Sequence, residues 1–386
     1  MGNDEMTEYM IWLQAVMGAG SIRAVKALER FGSAEAVYAA DITERSKSGI
    51  FTQAELNRMR KYRLSSAKEV IADCHSYRTE IITLGDKRYP ECLSSTENPP
   101  LVLYVNGAFP DFDSTPAVCI VGPRKVSDYG KKAAYSLGMR LSAAGITVVS
   151  GGAVGADYYA HAGALKAGGK TVLVMACGIG SGYLIKNEPL RKRVEEVGCI
   201  ISEYPPGTKV TRFSFPVRNR IMSALALTTV VVEAPEKSGA LITANHALEQ
   251  GREVFVIPGS PDSEDYAGSN ALLRDGARPL LDASDIFNEY IPKFPDKIDI
   301  ANAYKKRENT AKTEKTEKIP ENGKKILSET LSKEAKIVYN HLDKHKFYPE
   351  EITGTGLDSQ QLLAALTELE IELLIHALPG GCYEKC

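Results

Sequence analysis

A chain of 386 residues is longer than one compact core usually holds, so two or three domains are expected. Hydrophobic residues make up 44% and charged residues 25%, the balance of a soluble globular protein; the net charge of −2 excludes a wholly basic nucleic-acid-binding surface. Any anionic polymer must therefore meet a local basic patch. No apolar run is long enough to span a bilayer, and the first residues carry neither a secretory leader nor a myristoylation motif, so a cytoplasmic protein is expected.

In chain order, residues 1–80 read as short helices. Met10, Leu13, Val16 and Met17 recur at helical spacing, Gly18 and Gly20 break the run, and Ile22, Val25, Leu28 and Phe31 resume it. A GxG turn between helices can present amides to phosphate, as helix-hairpin-helix modules do, or it can simply close an αα-hairpin. From residue 117 the pattern changes. Residues 117–122, 146–151, 171–177, 228–234 and 253–259 are near-continuous apolar runs, with helical segments such as 129–144 and 156–168 between them. Strands apolar on both faces and separated by helices predict an α/β fold, a Rossmann-like doubly wound parallel sheet over 81–290, with ligands at the carboxyl ends of its strands. Residues 291–330, rich in Lys, Glu, Thr and Asn, read as a solvated linker. Two amphipathic segments and a terminal strand-turn pattern follow in 331–386, which reads as a small winged-helix-like domain.

Cysteine and histidine spacing suggests no cofactor. The seven cysteines form no CxxC pair and the six histidines no HExxH spacing, so buried thiols are expected and no metal.

Four strand-end loops carry candidate chemistry. In 121–130, Arg124 follows Gly122 where the chain turns toward a helix, and it can fork onto a phosphate or pair a surface carboxylate. In 148–157, Gly151, Gly152 and Gly155 let backbone amides approach a phosphate, although glycines there also serve packing. The segment 204–220 holds Lys209, Arg212, Arg218 and Arg220 with Tyr204, Phe213 and Phe215, and no acid. Cations neutralise phosphates while aromatic faces stack bases without regard to sequence. Its prolines are expected to keep it extended ahead of a helix starting near Ile221. Phe215 is expected to stack bases, and Phe213 to lie nearer the core. Asn219 stands between the two arginines of the RNR run. In 233–251, Ser238, Gly239 and Thr243 offer hydroxyls and amides at a helix start. Over 117–287 there are 19 Lys and Arg against 16 Asp and Glu, which suits a local groove.

The runs VSGGAVGADYYAHAGALKAGGKTVLV, SEYPPGTKVTRFSFPVRNRIMSALA and VVVEAPEKSGALITANHALEQGREVFVIPG, with the lead-in GDKRYPECLSSTENPPLVLYVNG, resemble the bacterial DNA-processing protein family DprA, also called Smf. The resemblance covers about 80–290, and the combination of FPxRNR, EAxxxSGxLITA and GRxVFxxPG carries it. It implies a recombination mediator without catalysis, a cytoplasmic homodimer that binds single-stranded DNA and helps load a RecA-type recombinase in natural transformation. The family's contacts map onto Arg124, Arg212, Phe215, Arg218, Arg220, Ser238, Gly239 and Thr243. The sequence departs from the family pattern at Val154, where an arginine is usual, at Gly180, where an acid is usual, and at Leu184, where a proline is usual.

A rival reading is a nucleotide-processing hydrolase that cleaves N-glycosidic bonds, with Glu203, Glu233, Asp157 or His161 as candidates. The SGALIT loop lacks a carboxylate where such chemistry would want one. Glu203 and Glu233 are expected to bind neighbouring amides or arginines instead. A duplex-reading C-terminal domain is disfavoured, because SQQLLAALTELE offers no cation to base edges.

Overall fold

The computed structural model describes residues 3–184, 187–304, 331–342, 345–371, 374–377 and 382–385. Its centre is a nine-stranded sheet: β1 (Glu80–Thr83), β2 (Val102–Gly107), β3 (Ala117–Val121), β4 (Thr147–Ser150), β5 (Thr171–Met175), β6 (Cys199–Ser202), β7 (Thr228–Val231), β8 (Glu253–Val256) and β9 (Arg278–Pro279). The spatial order is β1-β2-β6-β5-β4-β3-β7-β8-β9. All pairings from β6 to β9 are parallel, as the apolar runs predict. The sheet is not parallel throughout, however: β1 and β2 add an antiparallel edge on β6. These strands, with the two-residue β9, are the ones the sequence pattern does not announce, whereas the apolar run at Cys199 reads as a strand and forms β6.

Alternation within each strand explains the continuous apolar runs. Cys119 and Val121 face one hydrophobic cluster, with Ile221, Met222 and Ala244. Val118 and Ile120 face another, with Leu137, Leu141 and Ala160. One layer holds the helices Asp128–Ala143, Ala156–Lys166 and Glu188–Val197, which connect β3 through β6. The other holds Ser214–Ala224, Gly239–Glu249 and Ala267–Arg274, which carry the chain back past β3 to β9. The winding reverses between β3 and β7, the place where open α/β sheets generally offer a crevice at the carboxyl ends of their strands.

The N-terminal helices do not build a core of their own. Trp12, Leu13, Val16 and Val37 share a cluster with Val102 and Tyr104 of β2. Residues 291–304, expected to be solvated linker, instead pack on the sheet domain: Phe294, Ile298 and Ile300 join its cluster and Ala303 is buried. Spacing alone hides this, because the apolar residues are few and their partners lie far away in the chain. Residues 305–330 of the expected linker lie outside the described residues. The C-terminal segment has helices Lys333–Asn340 and Ser359–Ile371 and three short antiparallel strands, β10 (Lys346–Phe347), β11 (Ile375–Ala377) and β12 (Tyr383–Lys385). Helix Ser359–Ile371 lies against helix Glu188–Val197, and the Tyr159 hydroxyl donates to Glu370 Oε1 at 3.3 Å. No helix among the described residues is long and apolar enough to cross a membrane.

Candidate nucleic-acid interface

The segment FSFPVRNR is helical. Its helix begins at Ser214, so the expectation of an extended stretch ending near Ile221 is corrected. Pro216 sits in the first turn, where its missing N–H costs no helical hydrogen bond. Helical spacing splits the motif between two environments: Ser214, Arg218, Asn219 and Arg220 are buried, while Lys209, Arg212 and Phe213 are exposed.

Arg218 runs inward to the carboxyl end of β5, where its Nη1 donates to the Val174 carbonyl at 2.6 Å. Its Nε is buried without a hydrogen-bond partner, and among the described residues no carboxylate lies within ion-pair distance. Burial holds its pKa below the ordinary arginine value, with Asp157 opposing that shift. The guanidinium presses on the glycine loop after β4: a Cβ on Gly151 would lie 1.9 Å from Arg218 Nη1. Gly155, at φ 89°, has the Pro123 carbonyl 2.3 Å from where its Cβ would be, so the loops after β3 and β4 touch through bare backbone. Arg218, Gly151, Gly152, Ala153, Phe215 and Tyr183 line one small pocket with Arg191. Phe215 is half-buried there, edge-on to Tyr183 at 5.8 Å, and the exposed Arg124 guanidinium stands 4.8 Å from its ring centre.

Two other expected residues turn inward. Arg220 is 3% exposed and pairs with Glu203, also 3% exposed, at 2.6 Å. The basic segment therefore does have a counter-charge, supplied from the end of β6. Thr243 is 1% exposed, and its buried hydroxyl has no partner among the described residues; it lies on the inner face of helix Gly239–Glu249. Ser238 caps that helix by accepting from the Ala240 amide at 3.2 Å, and Asn219 Nδ2 donates to the Gly239 carbonyl at 3.3 Å. Phe213 departs furthest from expectation. It is 68% exposed, with the Arg212 guanidinium 4.6 Å from its ring. Tyr183 and Arg191, both at the pocket, are additions to the expected set: Tyr183 follows Gly178, Gly180 and Gly182, and Arg191 opens a basic run in a helix that acids also populate, so neither run by itself points to the pocket.

The two strand-end glutamates hold the frame, as expected. Glu203 Oε1 accepts from the Gly20 amide at 2.9 Å, so the N-terminal GxG turn spends an amide on a carboxylate of its own chain. Glu233 is fully buried and accepts from the Ser127 amide (2.7 Å), the Ser127 hydroxyl (2.5 Å) and the Tyr266 hydroxyl (2.8 Å). Ser127 also caps helix Asp128–Ala143 by accepting from the Gly130 amide, which fixes the loop bearing Arg124. Ser127→Ala removes that cap and one of Glu233's donors, and about 1–2 kcal/mol of stability is expected to be lost. A shift of the urea midpoint without a change of slope is the readout. Gly180, at φ 79°, would carry its Cβ 2.2 Å from the Tyr77 ring, so an acid at this position could not coexist with the observed Tyr77 placement. Leu184 has φ 50°, a backbone that proline cannot adopt.

Residues 80–291 match the family model described as DNA recombination-mediator protein A. The chain belongs to this family. It is 33% identical to Protein Smf of Synechocystis sp. over 290 residues, 74% of this chain and 73% of that relative. It is 39% identical to DNA processing protein DprA of Bacillus subtilis over 220 residues, 57% of this chain and 74% of the relative. The X-ray structure of DprA from Streptococcus pneumoniae superimposes with a TM-score of 0.64 at 29% identity, covering 73% of this chain and 98% of that one. DprA of Helicobacter pylori, described for its single-stranded DNA binding mode, gives a TM-score of 0.50 at 28% identity, covering 55% of this chain and 97% of that one. The sequence resemblance thus stands as membership, and the mostly parallel α/β sheet is the family's fold.

Proposed function

We propose that this chain binds single-stranded DNA in a groove across the carboxyl ends of β3, β4, β5 and β7, and acts as a recombination mediator without catalysing a reaction. The observation that carries this reading is Arg218, a buried guanidinium with no carboxylate within ion-pair distance among the described residues, facing the Gly151 backbone beside Phe215. A buried cation is costly unless it is paired. A phosphate at the mouth of the pocket would supply the missing charge, with Arg124, Lys209 and Arg212 along the approach. The H. pylori relative, described for its single-stranded DNA binding mode, supports the same ligand class.

The finer assignments are Arg124, Gly151, Gly152, Lys209, Arg212, Phe215, Arg218, Ser238 and Gly239 at the groove. Asn219, Arg220 and Thr243 act behind it, holding the helix and turn. Homodimerisation through the sheet domain, loading of a RecA-type recombinase, a cytoplasmic location and a winged-helix-like C-terminal contact surface complete the proposal. Against the hydrolase reading, Glu203, Glu233, Asp157 and His161 are each at most 7% exposed, and both glutamates already accept several hydrogen bonds.

Fluorescence anisotropy with labelled oligonucleotides tests the reading. Arg218→Ala and Arg212→Ala are each expected to weaken single-strand binding on the order of tenfold at moderate salt, with duplex bound more weakly than single strand throughout. Unchanged affinity in both variants and in Phe215→Ala would remove the proposal. Release of base from nucleoside monophosphates, abolished by Glu203→Ala, would favour the hydrolase.

A further inference from the structure

We propose that Phe213 is a base-stacking residue of this groove, a role distinct from that of the half-buried Phe215; the inference rests on the single-strand reading above. Phe213 occupies the N-cap position of helix Ser214–Ala224 and is 68% exposed, the most exposed aromatic side chain among the described residues. The fold leaves this ring in water although burying a phenylalanine is favourable. Its position is well fixed nonetheless: the Thr211 amide donates to Ser214 Oγ at 3.1 Å and Ser214 Oγ donates back to the Thr211 carbonyl at 2.7 Å, closing the turn that carries Arg212 and Phe213.

The surroundings choose the ligand. Arg212 lies 4.6 Å from the Phe213 ring centre, and Lys209 is exposed nearby in sequence. Neither cation has a carboxylate within ion-pair distance among the described residues. A planar ring beside free cations matches a nucleotide, with the base on the ring and the phosphate on the guanidinium. An apolar protein surface would leave those cations without compensation. Phe215 offers less free surface, since Arg124 stands over its ring and Tyr183 meets its edge. Two arginine–phenylalanine pairs therefore meet at the start of this helix, Arg124 from the loop after β3 with Phe215 at the pocket and Arg212 with Phe213 outside it. A strand whose phosphate meets Arg218 would lay a flanking base on Phe213.

Phe213→Trp provides the probe. The chain's single tryptophan, Trp12, is 2% exposed in the N-terminal cluster and gives a constant background. Saturation with oligo-dT is expected to quench the new tryptophan, whereas an abasic oligomer of equal length is not. Phe213→Ala should weaken oligo-dT binding about 5- to 160-fold, the range one base stack contributes, and change abasic binding less than twofold. Emission unchanged on a strand that anisotropy shows to be bound, or quenched equally by the abasic strand, sinks the role of Phe213 and leaves DNA binding standing. Failure of the wild type to bind either strand instead overturns the reading on which the inference rests.

Discussion

Replacing Glu203 with alanine is expected to lower folding stability by about 3–5 kcal/mol, the cost of leaving a buried cation without its partner. Arg220 is 3% exposed, donates to Glu203 Oε2 at 2.6 Å and to the Asn98 carbonyl at 2.6 Å, and has no other acid within ion-pair distance among the described residues. Glu203 also receives the Gly20 amide, and its backbone carbonyl receives Gln14 Nε2 at 2.7 Å. One side chain thus ties β6, the helix Ser214–Ala224 and the N-terminal hairpin together. Trp12 belongs to the same N-terminal cluster, so its fluorescence reports that region while far-UV circular dichroism reports the whole chain. In urea both transitions should move to lower denaturant, the fluorescence transition at least as far. Glu203→Leu combined with Arg220→Met should recover most of the loss, because an apolar pair of similar volume avoids desolvating two charges. A double variant as unstable as Glu203→Ala would show that the clasp holds through shape rather than charge.

This pair also shows why the site was only partly legible in the sequence. Composition exposed the cationic segment 204–220, and apolar periodicity exposed the five central parallel strands and the loops that follow them. The sequence suggests an arginine for Glu203 but does not single out Arg220, because that depends on the angular position of each residue around a helix that begins at Ser214 rather than near Ile221. Once the helix begins at Ser214, Arg218 and Phe215 turn toward the pocket, Arg220 turns toward β6, and Phe213 is left outside. The prolines suggest an extended segment, although proline in a first turn, as Pro216 is, is compatible with a helix. The edge strands escaped for a different reason. β1 precedes the lead-in segment and pairs only with β2 at its end, and β2 in turn pairs with β6 far along the chain, Tyr104 opposite Ser202, with no turn signal to announce it.

His161 is expected to make the fold sensitive to acid well above the carboxylate range. It is fully buried, with Nδ1 2.7 Å from Thr171 Oγ1. Burial first, and the Arg218 charge second, push its pKa down from 6.5 to about 3. In the unfolded chain the imidazole takes up its proton as pH falls through about 6.5, while in the fold it stays neutral until near 3. The unfolded state therefore binds more protons across this window. Stability is fully present above pH 6.5 and falls on acidification, by up to about 1.4 kcal/mol per pH unit. At pH 4.5 the loss should reach about 2–3 kcal/mol. His161→Asn should flatten the dependence of the urea midpoint between pH 6.5 and 4.5, and the wild-type His161 ring resonances should show no titration over that interval. A titration midpoint above 5 would mean that the core around Arg218 admits water. Because burial outweighs Arg218 in this shift, a phosphate that neutralises Arg218 should leave His161 uncharged. Single-strand affinity should then owe none of its pH dependence between 5.5 and 8 to this residue, even though the Arg218 charge acts on it.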